Sequence, residues 1–312
     1  MPPPDEQTSG VQKVTVDTDE NGRRLDNFIS SRLKNIPKSR IYQMLRRGEV
    51  RVNGSRARPE KRLEAGDVVR LPPLFQNRDD ARPVIPGAAI ARLEQQILHE
   101  DARLLVINKP SGVAVHGGSG VSYGVIDILR ASRGDKARLE LVHRLDRDTS
   151  GCLLLAKDMT LLRTLHDQLR DGQVRKGYLA LLRGQLGRRQ LDIDDPLSRQ
   201  QGKSGDRRVV VDAAGKVSAT RIRRQRQYSD ATLADVSLLT GRTHQIRVHA
   251  AAAGHPLAGD VKYGDKAFNK QLRQLGLRRL FLHAASLQLP DHEQAFEAPL
   301  PDELQAVLER LA

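Results

Sequence analysis

Cysteine occurs once in the 312 residues, tryptophan not at all, methionine three times, and aromatic residues make up 3% of the chain. The lone thiol, Cys152, excludes an internal disulfide framework and any zinc site built on cysteine pairs, and a reducing, cytoplasmic setting is expected. Because Leu153, Leu154 and Leu155 follow it, Cys152 reads as a small buried apolar residue rather than a reactive one. Long apolar runs are missing as well. None exceeds five residues, as in Cys152 to Ala156, whereas a membrane-spanning helix needs about 20. The start, Met1-Pro2-Pro3-Pro4-Asp5-Glu6, has neither the basic region nor the apolar centre of a signal peptide. No membrane association is expected.

Acids are in the minority. Lys and Arg number 52 against 38 Asp and Glu, a net charge of +14, which points to an anionic partner. Of the cations 39 are Arg and 13 are Lys; the bias favours the planar fork that grips phosphate, although GC-rich coding produces the same ratio. The length fits about two domains. Residues 1–22 carry Lys13 against five acids and read as a flexible acidic leader, while residues 23–82 hold 16 basic and 7 acidic residues, net +9. Residues 83–312 also net +9, spread over nearly four times the length.

The basic segment reads as a small module. Leu25, Phe28, Ile29 and Leu33 recur at helical spacing, as do Ile41, Met44 and Leu45, with Ser39 as N-cap and Gly48 as stop. Val50-Arg51-Val52 then runs into the turn pair Asn53-Gly54, and Asp67 to Leu71 reads as another strand. Arg40, Arg46, Arg47, Arg51, Arg56 and Arg58 stand at exposed positions with Glu49 as the one nearby acid, so they repel one another unless a polyanion binds. The signature Arg24-Leu25-Asp26-Asn27-Phe28-Ile29, Ser39-Arg40, Arg46 to Gly54 and Gly66-Asp67-Val68-Val69 resembles the S4 RNA-binding domain, of the αL type. The resemblance implies recognition of folded RNA by shape and backbone, with Arg40, Arg46, Arg47, Arg51 and Asn53 as RNA-binding residues. Residues 83–89, in a Pro- and Gly-containing stretch, read as the linker to a second domain at 90–312.

In that second domain Leu104 to Ile107, Gly151 to Ala156, Tyr178 to Leu182, Ala231 to Leu239 and Leu280 to Leu289 read as strands. Met159 to Arg170, Thr243 to Ala253 and Pro301 to Leu311 read as helices, the first two ending at Gly172 and Gly254. No βαβ rhythm repeats, so an α+β fold on a mixed, largely antiparallel sheet with flanking helices is expected. The common cofactor motifs fail. Gly202-Lys203-Ser204 ends like a phosphate-binding P-loop, but Leu197 occupies the required earlier glycine position. The stretch Gly117 to Gly120 lacks a strand-loop-helix context, and His244, His249 and His255 lack zinc spacing. No cofactor and no metal are expected.

The densest polar segment is His143-Arg144-Leu145-Asp146-Arg147-Asp148-Thr149-Ser150-Gly151, between apolar stretches. An acid among His143, Arg144 and Arg147 would be held ionised, ready to act as nucleophile or base; an Asp shaping a turn before Thr-Ser-Gly is the equal alternative. A phosphatase-type Asp-x-Asp reading fails because Arg144 breaks the strand that should precede it. Together with Ile107-Asn108-Lys109-Pro110-Ser111-Gly112, Lys176 to Leu181, Gly241-Arg242-Thr243-His244-Gln245-Ile246-Arg247-Val248-His249 and Leu280 to Ala284, the segment resembles the pseudouridine synthases of the RluA type. These five motifs stand in the family's order.

The resemblance implies a cofactor-independent isomerase that detaches uracil from C1′ of its ribose, turns it and rejoins it through C5. It makes Asp146 the catalytic carboxylate, whether the group adds to the base, adds to C1′ or removes a sugar proton. It makes Arg247 the ion-pair partner of Asp146 and Tyr178 the ring that stacks on uracil. Arg144 would fill the space left by the flipped base or hold its phosphate, and Arg242 would contact RNA phosphate. His143 reads as a structural histidine. The implied partner is 23S ribosomal RNA or a large-subunit assembly intermediate, bound by a monomer. A non-catalytic RNA-binding ribosome-assembly factor on the same fold is the rival reading.

Overall fold

The computed structural model describes residues 11–33, 36, 38–73, 85–117, 121–134, 138–201 and 207–312. The Ser39 side chain, the linker up to residue 84, the stretch 118–120 and Gly202-Lys203-Ser204 lie outside the described residues. The chain divides into two compact units, Met1–Val84 and Ile85–Ala312.

The first unit runs β1 (Gln12–Thr15), a 3-10 turn (Thr18–Glu20), α1 (Leu25–Arg32), α2 (Lys38–Arg47), β2 (Arg51–Val52) and β3 (Val68–Leu71), with an antiparallel sheet in the order β1-β3-β2. Leu25, Phe28 and Ile29 of α1 and Ile41, Met44 and Leu45 of α2 sit one turn apart on each helix, so each buries one stripe against Val50, Val52 and Val69. Gly48 ends α2 at φ 71°, and Asn53 and Gly54, at φ 50° and 78°, close a two-residue turn in which Val52 and Ser55 exchange backbone hydrogen bonds. Of the acidic leader expected over 1–22, residues 1–10 lie outside the described residues, and the part from 11 to 22 is corrected by this unit. Gln12–Thr15 pair residue for residue with Leu71–Val68, Val16 is buried, and Glu20 accepts hydrogen bonds from Arg23 and Arg32. The acid count concealed a strand and an acid, Glu20, paired with two arginines.

The second unit begins with α3 (Gly87–Glu94), so residues 87–89, expected as linker, are helical instead. It continues β4 (Ile97–Glu100), β5 (Leu104–Lys109), α4 (Val125–Arg133), β6 (Glu140–Leu141), β7 (Ser150–Ala156), α5 (Met159–Arg170), β8 (Arg175–Arg183), β9 (Gln190–Ile193), β10 (Leu197–Gln201), β11 (Arg207–Val211), β12 (Thr220–Gln227) and β13 (Ala231–Leu238). The chain closes with α6 (Gln245–Ala252), α7 (Lys266–Gln274), β14 (Leu282–Gln288), β15 (Phe296–Glu297) and α8 (Asp302–Leu311). Ten strands form one sheet in the order β4-β5-β7-β14-β8-β13-β12-β9, with β6 beside β7 and β15 beside β14. Every pairing is antiparallel except β7 with β14, and β10 with β11 forms a separate hairpin. The fold is mixed α+β on a largely antiparallel sheet.

Strand alternation sorts the core into two layers. Leu105, Ile107, Leu153, Leu155, Ala180 and Ala234 face α3, α4 and α6, while Leu104, Val106 and Leu154 face α5, and Leu181 and Leu233 face α7 and α8. All seven residues of β7 are buried, because the strand is central and covered on both sides. At its start Gly151 takes φ 111°, and a Cβ there would collide with the Ala284 backbone, so only glycine lets β7 lie against β14 where the loop before it returns to the sheet. Cys152 is buried in β7, and burial raises its thiol to about 12. Among the described residues no helix is long and apolar enough to cross a membrane.

Candidate active site

The segment between β6 and β7, residues 142–149, is a loop pinned from below. Lys109, fully buried at the end of β5, donates from Nζ to the carbonyls of Pro110 (2.8 Å), Val113 (2.8 Å) and Arg147 (3.0 Å). Burial holds its ammonium down to about 7. Ser111 Oγ donates to the Asp148 carbonyl at 2.7 Å, and Gly112 and Arg147 exchange hydrogen bonds of 2.9 Å through the Gly112 N–H and the Arg147 Nε. His143 Nε2 accepts the Leu154 N–H at 3.1 Å; burial pushes the ring down to about 4, so it is a neutral acceptor that anchors the loop. The expected cluster of His143, Arg144 and Arg147 around Asp146 is therefore corrected. His143 and Arg147 are engaged with backbone, and the groups facing Asp146 come from elsewhere in the chain.

They come from α6 and the residue just before it. Arg247 Nη1 lies 3.4 Å from Asp146 Oδ2, and His244 Nε2 lies 3.8 Å from the same oxygen. Behind them Asp260, fully buried, receives Arg247 Nε at 2.7 Å and Nη2 at 2.8 Å in a bidentate fork, and its Oδ1 also accepts the N–H groups of Lys262 (2.8 Å) and Tyr263 (3.0 Å). Burial opposes the Asp260 charge, but the Arg247 guanidinium and those two N–H groups outweigh it and hold the carboxyl below its usual range. The Tyr263 ring covers the Arg247 guanidinium, 5.1 Å from it. The helix expected over Thr243 to Ala253 starts at Gln245, because His244 stands at its N-cap in the left-handed region, φ 55°. Gln245 braces the preceding turn. Its Oε1 accepts from Arg242 N and Thr240 Oγ1, and its Nε2 donates to the Ala219 carbonyl and Thr220 Oγ1.

Asp146, Tyr178 and Arg247 line one cavity of about 650 Å³, with Arg144 and Arg242 among its other walls. Tyr178 is 7% exposed on β8; burial and the Asp146 charge push its phenol upward, leaving a neutral, polar-tipped ring in the wall. Arg144 is exposed, with no carboxylate at ion-pair distance among the described residues, and Arg242 is exposed with Nε on the Val217 carbonyl at 3.0 Å. Arg170, Lys176 and Arg199 line the cavity too, whereas Asp146 is its one carboxylate among the described residues. The cavity thus has a cationic wall and a single acid.

Five groups here escaped the reading of the sequence: Lys176, Arg199, His244 as a neighbour of Asp146, Asp260 and Tyr263. Lys176 and Tyr178 stand two apart on a strand and so share a face, which was legible. Asp260 is the first formal charge after Ala250 to Gly259, which marks it without giving its partner. Of the histidines weighed as ligands, His249 is buried between Thr220 Oγ1 (2.9 Å) and the Asp195 carbonyl (2.9 Å), and His255 lies 3.0 Å from the Arg183 carbonyl. No group of three or more His, Cys, Asp and Glu among the described residues could hold a metal ion.

In the N-terminal unit Arg46 and Arg51 are exposed, Arg51 donating to the Gly48 and Gly54 carbonyls. Arg40 and Arg47 approach Glu49 at 3.2 and 3.9 Å. Asn53 is exposed, its Nδ2 donating to Asp67 at 2.7 Å and its Oδ1 accepting the Val68 N–H at 2.8 Å, so its amide holds the hairpin to β3.

Comparison with known proteins agrees with this geometry. The family model described as RNA pseudouridylate synthase matches residues 103–252, and that of the S4 domain matches residues 23–69. Ribosomal large subunit pseudouridine synthase C of Pasteurella multocida is 51% identical over 304 residues, covering 96% of this chain and 93% of that protein. The protein of the same name in Escherichia coli K12 is 49% identical over 312 residues, 98% of each chain. The solved structure of human RNA Pseudouridylate Synthase Domain Containing 4 superimposes with a TM-score of 0.60 at 30% identity, covering 72% of this chain and 95% of that one. With relatives at this identity over nearly their whole length, and with the cavity carboxylate inside the matched segment, the chain belongs to the RNA pseudouridine synthase family of isomerases and carries an S4 RNA-binding domain at its N-terminus.

Proposed function

We propose that the protein isomerises specific uridines of 23S ribosomal RNA to pseudouridine in the cytoplasm, with Asp146 as the catalytic carboxylate. The observation that carries this reading is the one acid among the described residues of the cavity, held by Arg247, with Arg144, Arg170, Lys176, Arg199 and Arg242 as further charged groups of the lining. Such a wall suits one uridine drawn out of a polyanion. The relatives named for the ribosomal large subunit supply the substrate. In the reaction N1–C1′ breaks, C5–C1′ forms, the C5 hydrogen leaves to solvent and N1 takes one up, so no electrons enter or leave. Flipping the base out of its stack costs a few kcal/mol. Tyr178 stacks on the extruded ring, Arg144 occupies the gap or its phosphate, and Arg242 holds the adjoining backbone.

The test is release of tritium from 23S rRNA labelled at uridine C5. Release in step with pseudouridine is the expected result. Binding without release would leave the protein as an assembly factor on a synthase fold and refute the reading.

Arg40, Arg46, Arg47 and Arg51 serve in this reading as the address, gripping rRNA phosphates. Each phosphate contact contributes about −0.9 to the slope of log K against log salt on a duplex. Changing Arg46, Arg47 and Arg51 together to Ala is therefore expected to flatten the slope of rRNA binding by about 2 to 3. An unchanged slope in filter binding across a salt series would remove the module from the contact surface.

A further inference from the structure

His244 has a backbone and a hydrogen-bond partner that together fix what its ring presents to the cavity. A non-glycine residue in the left-handed region is strained, and His244 bears this at φ 55°, ψ 19°, one residue before α6 starts. Its Nδ1 lies 2.9 Å from the Tyr263 hydroxyl, and that hydroxyl oxygen accepts the Val209 N–H at 3.1 Å. Among the described residues His244 Nδ1 is the acceptor within reach of the Tyr263 hydroxyl hydrogen, so the hydroxyl donates to it. Nδ1 is then the acceptor and the ring proton sits on Nε2. Burial, partly countered by the Asp146 charge and reinforced by Arg247, lowers the ring from its ordinary value and keeps it neutral. Nε2–H faces Asp146 Oδ2 at 3.8 Å, the oxygen that Arg247 Nη1 already approaches at 3.4 Å. Among the described residues no donor reaches Oδ1.

We propose that His244 is a positioning residue: its Nε2–H, set by the Tyr263 hydroxyl, joins Arg247 on Oδ2 of Asp146 when uridine is bound and leaves Oδ1 as the oxygen that reacts. This rests on Asp146 being the catalytic carboxylate. Catalytic hydrogen bonds are commonly long in the free enzyme and tighten in the substrate complex, and 3.8 Å needs to shorten by about 1 Å. Tyr263 is the bracket common to both donors, since its ring covers Arg247 while its hydroxyl holds His244. A carboxylate restrained at one oxygen by two fixed donors has only its other oxygen and a narrow range of rotation left for chemistry.

Four variants test this on tritium-labelled 23S rRNA under single-turnover and steady-state conditions. His244→Leu is expected to lower kcat about 100-fold with KM within threefold of wild type, because a donor to the carboxylate is lost and RNA contacts are not. His244→Gln, which carries an amide N–H near the Nε2 position, is expected to recover kcat to within about tenfold of wild type. Tyr263→Phe keeps the ring over Arg247 and removes only the hydroxyl; about a tenfold fall in kcat is expected. The double variant His244→Leu, Tyr263→Phe should be no worse than His244→Leu alone, since Tyr263 acts through His244. Turnover by His244→Leu within threefold of wild type, or equal loss in the Leu and Gln variants, or additive losses in the double variant, overturns the proposal. Should the Leu variant fail to fold, Gln and Tyr263→Phe decide: wild-type kcat in Tyr263→Phe overturns it. Asp146→Asn run alongside separates the two readings. Activity there defeats both, whereas an inactive Asp146→Asn beside a fully active His244→Leu defeats only this one.

Discussion

Asp146→Asn is expected to lower kcat for tritium release from 23S rRNA by roughly 10⁴-fold or more, about 5.4 kcal/mol of transition-state stabilisation, with KM for the RNA nearly unchanged. Asn keeps the size of the side chain and an oxygen for Arg247, so the cavity keeps its shape. What it lacks is the charge, and each of the three ways in which a carboxylate starts this reaction needs it. Affinity should hold because the substitution leaves every cation of the cavity wall and of the N-terminal unit in place. Stability should hold as well. The Asp146 side chain is 26% exposed and its closest donor is 3.4 Å away, and a pair of that kind contributes at most about 1 kcal/mol. Arg247 moreover retains its fork on Asp260. A kcat within tenfold of wild type would end the assignment of Asp146, and a melting temperature lowered by more than a few degrees would show that the residue supports the fold instead.

The parts of this site differ in how far the sequence disclosed them, for physical reasons. α5 was legible to the residue, since Leu162 and Leu165 mark its buried stripe, Asp158 caps it through the Leu161 N–H and Gly172 follows it in the left-handed region. β12 was not legible. Thr220-Arg221-Ile222-Arg223-Arg224-Gln225-Arg226-Gln227 reads as a charged run, yet Thr220 and Ile222 point inward while Arg221 and Arg223 point outward, paired with Asp192 and Asp235. Tertiary pairing between β9 and β13 supplied what composition concealed. Asp146 was found through its motif, but its surroundings were read from adjacency, and adjacency misleads in a loop whose backbone is pinned by Lys109 and Ser111. Its ion-pair partner Arg247, 101 residues further on, was named through the resemblance and not through adjacency. The start of α6 was placed two residues early because a helical pattern carries no sign of a left-handed residue at 244; a histidine there, like Asn or Asp, is among the side chains that tolerate it.

Asp260→Ala is expected to show the opposite pattern to Asp146→Asn, with a large loss of stability accompanying the loss of activity. Asp260 has no exposed side-chain surface, and its two oxygens satisfy two Arg247 nitrogens and two backbone N–H groups. Removing it leaves Arg247, 8% exposed, with the 3.4 Å contact to Asp146 as its one ion pair among the described residues. Breaking one side of a buried pair costs about 3–5 kcal/mol, a fall on the order of 10 °C in melting temperature for a unit of this size. The freed guanidinium then has Asp146 as its sole carboxylate among the described residues and should close on it, covering the proposed catalytic group, so kcat is expected to fall with the fold still formed at low temperature. The pH dependence has a fixed sign. The folded carboxyl is held below its unfolded value, so its contribution is complete above about pH 4 and is lost as pH falls through the folded value. The stability gap between wild type and Asp260→Asn should accordingly be widest at neutral pH and narrow in acid. A gap that widened in acid, or an Asp260→Ala protein as stable as wild type, would show that Arg247 is held by something other than this carboxylate.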